Sequence, residues 1–136
     1  MVRTLDHIGI AVRSIEERAR LYEALGLARA GEGTVPAQNV RVAFFELGES
    51  RIELLEPTAP ASPIAGFLAK RGEGPHHLCI AVEDIDAAMA GLAAAGIELL
   101  SEQPQAGAHG ARVCFIHPRS AGGVLIELSE PAGEPR

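Results

Sequence analysis

The stretch Asp6-His7-Ile8-Gly9-Ile10-Ala11-Val12 returns seventy positions later as His76-His77-Leu78-Cys79-Ile80-Ala81-Val82. A second string, Ile52-Glu53-Leu54-Leu55-Glu56-Pro57, returns seventy-four positions later as Ile126-Glu127-Leu128-Ser129-Glu130-Pro131. Between them Ile15, Gly26 and Leu27 are matched by Ile85, Gly96 and Ile97, so the copies extend well beyond the two strings. The second copy has gained four residues between its histidine and its glutamate. Self-similarity at so long a period marks two copies of a folding unit, not a solenoid. The reading is one domain over 1–136, with modules at about 4–57 and 74–131 and a linker at about 58–73.

Each copy reads strand, helix, strand, strand, strand. The Ile/Val-rich run Leu5–Val12 predicts a strand, and Ser14–Leu25 predicts a helix, with Ser14 and Glu17 at capping-box spacing and Gly26 as its stop. The second copy repeats this with Asp84 as N-cap and Gly96 as stop. Further strands are expected at about Ala28–Ala30, Val40–Leu47 and Arg51–Glu56, with Gly48-Glu49-Ser50 as a hairpin turn. Their counterparts are Glu98–Ser101, Ala111–His117 and Val124–Ser129, and the linker carries a short helix at about Ile64–Lys70. Gly133–Arg136 reads as a frayed tail.

Composition narrows the partners. A formal net charge of −6 without a Lys/Arg-rich run argues against nucleic acid or an anionic membrane surface as the main partner. Cys79 and Cys114 sit inside apolar runs and read as buried reduced thiols, not a disulfide framework or zinc clip. No basic segment precedes a long apolar stretch, and no apolar run reaches spanning length, so a soluble cytoplasmic protein is the expectation.

Strand parity then speaks to chemistry. Side chains alternate between the faces of a sheet. Ile8, Ile10 and Val12 share the face a helix can cover, which leaves His7, Gly9 and Ala11 on the other. The same split sets His77, Cys79 and Ala81 opposite Leu78, Ile80 and Val82, and it turns Glu53 and Glu127 away from their helices. A charged Glu between Ile and Leu is costly to bury unless it is paired or bound to a metal. His7, Glu53, His77 and Glu127 therefore form a candidate four-ligand site for a divalent cation, of a donor type that suits first-row metals. His76 has the opposite parity and reads as structural.

The βαβββ order, twice, with His on the first strand and Glu on the last, resembles the vicinal oxygen chelate superfamily. That resemblance implies an α+β fold in which two tandem βαβββ modules curl into a half-open, barrel-like sheet around a metal site. Within the superfamily the chain is similar to the methylmalonyl-CoA epimerases, most specifically over Ser62-Pro63-Ile64-Ala65-Gly66-Phe67-Leu68, Gly107-Ala108-His109-Gly110, and His117-Pro118 through Gly122-Gly123-Val124-Leu125-Ile126-Glu127-Leu128.

The resemblance places the metal ligands at His7, Glu53, His77 and Glu127, and Glu127 beside the reacting carbon. It implies Co2+ first, with Mn2+, Mg2+ and Zn2+ also suited, an acyl-CoA thioester as substrate, and a homodimer. The implied activity interconverts (2R)- and (2S)-methylmalonyl-CoA by removing the α-proton through a metal-stabilised enolate. One departure stands out: some relatives carry a second catalytic Glu where this chain has Val42. Glu53, Glu46 and a water stay open as the second acid–base group. His109 and Gly110, in a Gly-rich turn, are candidate substrate contacts. His117 serves a turn or the ligand site, and Arg51 and Lys70 are the cations offered for the CoA end. The competing functions are a glyoxalase I-like lyase of the lactoylglutathione type, a ring-cleaving dioxygenase, whose facial triad a fourth carboxylate disfavours, and a metal-free small-molecule-binding or resistance protein of the same fold.

Overall fold

Eight strands and three helices make up the computed structural model, which describes residues 1–133. The tail expected at the C-terminus lies outside the described residues from position 134 onward. The chain divides into two compact units, His7–His76 and Met1–Asp6 with His77 onward. The strand β1 (Val2–Ala11) passes from one to the other.

In the His7–His76 unit, β1 leads to α1 (Ile15–Ala24), β2 (Arg29–Val35), β3 (Val40–Leu47), β4 (Ser50–Pro57) and α2 (Pro63–Arg71). The strand order is β2-β3-β4-β1. β1 runs parallel to β4, with Gly9 opposite Glu53, and the other pairs are antiparallel. A parallel neighbour needs a long crossover, which α1, β2 and β3 supply. The face carrying Val12, Ala43, Phe45 and Leu54 takes Ile15 and Ala19 of α1, with Tyr22 packed beside them. Leu54 is fully buried, a contribution of about 1.5–3 kcal/mol. On the opposite face Ala11, Val40, Val42 and Leu55 are covered by Ile64 and Leu68 of α2. Alternation assigned this face away from α1. The linker helix covers part of it, capped by the Ser62 hydroxyl, which accepts from the Ile64 amide at 3.2 Å, with Pro63 in its first turn.

The other unit contains β5 (Gly74–Val82) from His77 on, α3 (Ile85–Ala94), β6 (Gln105–Ala106), β7 (Arg112–Ile116) and β8 (Ile126–Glu130). Its order is β5-β8-β7-β6, with β5 parallel to β8 and Cys79 opposite Glu127. Ile85 and Met89 of α3 pack on Val82, Cys114 and Leu128.

Both helices start and stop as their sequences predict. Ser14 Oγ accepts from the Glu17 amide at 3.2 Å, and an Asp84 carboxylate oxygen accepts from the Ala87 amide at 3.1 Å. Gly26 (φ +92°) and Gly96 (φ +81°) take the left-handed turn that ends each helix. Leu27 and Ile97 then donate back to Tyr22 and Leu92. One partner escaped the sequence reading. Glu56 and Glu130 reach their own helix starts and accept from the amides of Ile15 (2.7 Å) and Ile85 (3.0 Å). A carboxylate there meets the positive end of the helix dipole. The repeated Ile-Glu-Leu string thus divides its two acids between opposite faces of the strand.

Two strands differ from expectation. β2 continues past Ala30 to Val35, because pairing with β3 carries Gly31 and Gly33 despite their poor strand propensity, with a bulge between Arg29 and Gly31. The strand expected at Glu98–Ser101 is reduced to one bridge, Leu99 to Ile116, and β6 forms further on at Gln105–Ala106. Register locates the four extra residues. One falls between Leu99 and Ile116, relative to Arg29 and Phe45, and three fall in the connection from β7 to β8. His117 belongs to that longer connection, where its Nδ1 accepts from the Arg119 amide at 3.1 Å, a turn role.

Candidate metal and active site

Position 7 lies on the β1 face opposite the α1 core, and position 53 is on the same face of the neighbouring parallel strand. The structure brings the two side chains together: His7 Nδ1 is 3.2 Å from Glu53 Oε2, with both side chains 9% exposed. The other unit repeats the arrangement. His77 Nε2 is 3.3 Å from Glu127 Oε1, with side chains 10% and 13% exposed. Two donor atoms on one metal at bond lengths of about 2.0–2.2 Å stand roughly 2.8–3.6 Å apart for ordinary tetrahedral or octahedral angles. Each pair is already at that separation. Neutral imidazole nitrogen and ionised carboxylate are the donors a divalent first-row cation takes, so the residues fit such an ion.

The walls beside each glutamate also correspond. Glu53 is flanked in register by Gly9 and Phe44, and Glu127 by Cys79 and Phe115. Small residues on one side leave room, and an aromatic ring closes the other. Phe115 meets His77 edge-on, with centroids 6.4 Å apart. In the first unit the ring serves differently. The Arg51 guanidinium lies 5.3 Å over the Phe44 ring, and its Nη2 is 3.1 Å from Glu53 Oε2. Arg51 thus engages a candidate ligand instead of standing only as a candidate for the CoA end. Its position two residues before Glu53, hence on the same strand face, is the signal that could have found it.

The remaining candidates separate. Val42 is buried against α2 in an apolar cluster, so no carboxylate stands there. Glu46 is exposed near the β3–β4 turn. Lys70 is exposed on α2. His76 packs edge-on against Phe67 at 5.1 Å, in keeping with a structural role. Both cysteines are buried and outside any disulfide, and burial pushes the Cys114 thiol above its ordinary range. His109 and Gly110 form an exposed turn before β7, and His109 takes a left-handed backbone (φ 56°) that a non-glycine residue adopts only under local constraint. Gly110 precedes Phe115, the partner of Glu127, by five positions. That puts the turn roughly 15 Å along the strand direction, not beside the glutamate.

Comparison with known proteins assigns the class. Residues 6–115 match the model of the glyoxalase/bleomycin resistance protein/dioxygenase superfamily, and the chain belongs to that superfamily, with its α+β fold. The chain is 44% identical to the mitochondrial methylmalonyl-CoA epimerase of Homo sapiens, over 93% of this chain and 73% of that protein. It is 43% identical to the ethylmalonyl-CoA/methylmalonyl-CoA epimerase of Cereibacter sphaeroides, over 96% and 99%. A Streptomyces coelicolor methylmalonyl-CoA epimerase in complex with 2-nitronate-propionyl-CoA superposes with a TM-score of 0.92 at 34% identity, covering 100% of this chain and 99% of that one. Within the superfamily, the chain is a member of the methylmalonyl-CoA epimerase family.

Proposed function

We propose that this protein is an isomerase that interconverts (2R)- and (2S)-methylmalonyl-CoA, with one divalent cation held jointly by His7, Glu53, His77 and Glu127. The observation that carries the reading is the duplicated buried His–Glu pair, spaced at 3.2 and 3.3 Å, in a chain of this family. When bound, the cation would act as a Lewis acid on the thioester enolate. Co2+ is our first assignment, with Mn2+, Mg2+ and Zn2+ as alternatives.

The chain's own residues supply the rest. Within its own unit each histidine holds its glutamate in place, His7 at 3.2 Å from Glu53 and His77 at 3.3 Å from Glu127. Glu127 accepts the α-proton on one carboxylate oxygen as the C–H bond breaks. The electron pair of that bond passes onto the thioester oxygen as the enolate, a water on the opposite face gives its proton to the α-carbon to complete the inversion, and Glu127 releases the abstracted proton to the resulting hydroxide. The low exposure of each pair limits water and strengthens the charge interaction within it. His109 and Gly110, some distance along the chain direction from Glu127, are proposed contacts for the acyl-CoA away from the reacting carbon. A homodimer in the cytoplasm completes the reading, and sedimentation tests the first part of it. No described helix is long and apolar enough to cross a membrane.

The test is to incubate Co2+-loaded protein with methylmalonyl-CoA in deuterated water and follow the α-proton by NMR. Deuterium entering at the α-carbon, and stopping when a chelator strips the metal, is the expected result. No exchange from metal-loaded protein would sink the reading.

A further inference from the structure

The two His–Glu pairs agree in spacing but not in what stands beside the carboxylate. In β4, Arg51 precedes Glu53 by two residues on the same face. At the corresponding position before Glu127 the chain has Leu125. Arg51 is held in place from two sides. Its guanidinium lies 5.3 Å over Phe44, and Phe44 is the cross-strand partner of Glu53. Its Nη2 donates to Glu53 Oε2 at 3.1 Å, the same oxygen that faces His7 Nδ1 at 3.2 Å. The Arg51 side chain is 30% exposed.

A guanidinium bonded to a carboxylate oxygen draws on the electron density that oxygen would give a cation, and it fixes the carboxylate's orientation. It also places a positive charge near any cation that oxygen binds. We infer that Arg51 is a positioning residue that pins Glu53 as a weak, fixed metal ligand, so that Glu127 is the carboxylate left to take the α-proton. The inference rests on the proposed metal site. Its consequence is that the bound cation keeps more of its positive charge for the substrate, at some expense in affinity.

This makes an unusual demand. Removing Arg51 must tighten metal binding and slow the reaction together, whereas a merely structural loss would weaken both. The test titrates Co2+ alone into wild type, R51L, R51K and L125R by calorimetry. The visible spectrum of bound Co2+ and the rate of α-proton exchange are read in parallel. R51L, which copies the second module, is expected to bind Co2+ about tenfold more tightly, the order of effect of removing one charge near a partly buried site. Its Co2+ spectrum is expected to shift, and its exchange rate to fall about tenfold. R51K keeps the charge without the fork, so its affinity is expected within threefold of wild type. L125R sets a guanidinium beside Glu127, and its exchange rate is expected to fall by about a hundredfold. Weaker or unchanged Co2+ binding in R51L, with R51K folded and binding normally, would overturn the inference while leaving the proposed function standing. Failure of the wild type to bind Co2+ would overturn both.

Discussion

The His7–Glu53 and His77–Glu127 pairs are near copies with different surroundings. Their nitrogen–oxygen distances differ by only 0.1 Å (3.2 and 3.3 Å), and each glutamate has an aromatic residue opposite it on the antiparallel neighbour. Beyond that they diverge. The first is reached through Nδ1 and the second through Nε2. The first has Arg51 on its carboxylate and the linker helix packed over the far part of its face. In the second, Leu125 replaces the arginine, and the β7–β8 connection is longer by three residues. Duplication kept what a metal needs, which is donor type and spacing. It left the flanks free to change, and on the inference drawn above the flanks would decide which carboxylate is pinned and which can act.

That comparison can be broken at its strongest point by removing the histidines one at a time. His7→Ala and His77→Ala should each weaken Co2+ binding by more than about a hundredfold, since each deletes a ligand outright and loss of a mere supporting contact already costs 10–100-fold. A large loss from one and none from the other, measured by calorimetry, would mean that the pairs do not share one ion. The cores are expected to match less closely. Leu54→Ala empties a fully buried site and should cost about 3–5 kcal/mol in urea unfolding, while Leu128→Ala, at 6% exposure, should fall nearer about 2–3.

Smaller again are the helix starts. Glu56→Gln and Glu130→Gln each keep the shape but remove a charge from a helix N-terminus, and each should cost about 0.3–1 kcal/mol. Unequal values beyond that range would show that the two strings do different structural work. The least effect is a pH dependence in the linker, which lies wholly in the first unit. The Arg13 amide, with the Arg18 guanidinium, holds the Glu73 carboxyl below its ordinary range. A lowered folded value adds stability above the unfolded value of about 4.3 and loses it as pH falls through the folded one. Glu73→Gln should therefore be less stable than wild type at neutral pH, with the gap in melting temperature closing in acid.

Much of this was readable from residues alone. The repeat located both histidines and both candidate glutamates, and alternation placed them on the face away from α1 and α3. Ser14, Asp84, Gly26 and Gly96 announced the helix ends because capping chemistry is local. What escaped was set by contacts between distant segments. Gly31 and Gly33 disguise β2, whose pairing with β3 overrides propensity. The broken strand before β7 follows from an insertion that offsets count but cannot place. The cover from α2 and the reach of Glu56 and Glu130 to their helices depend on packing across the unit. Arg51 was visible as a cation, and only its stacking on Phe44 shows where its charge is directed.

The central claim is that the two pairs are alike in holding a metal and unlike in moving a proton. The most direct measurement compares solvent-deuterium incorporation at the α-carbon of methylmalonyl-CoA by Co2+-loaded Glu127→Gln and Glu53→Gln at saturating metal. Loss of about a thousandfold in Glu127→Gln, against no more than about tenfold in Glu53→Gln, is the predicted result. Equal losses in the two variants, or the larger loss in Glu53→Gln, would contradict it.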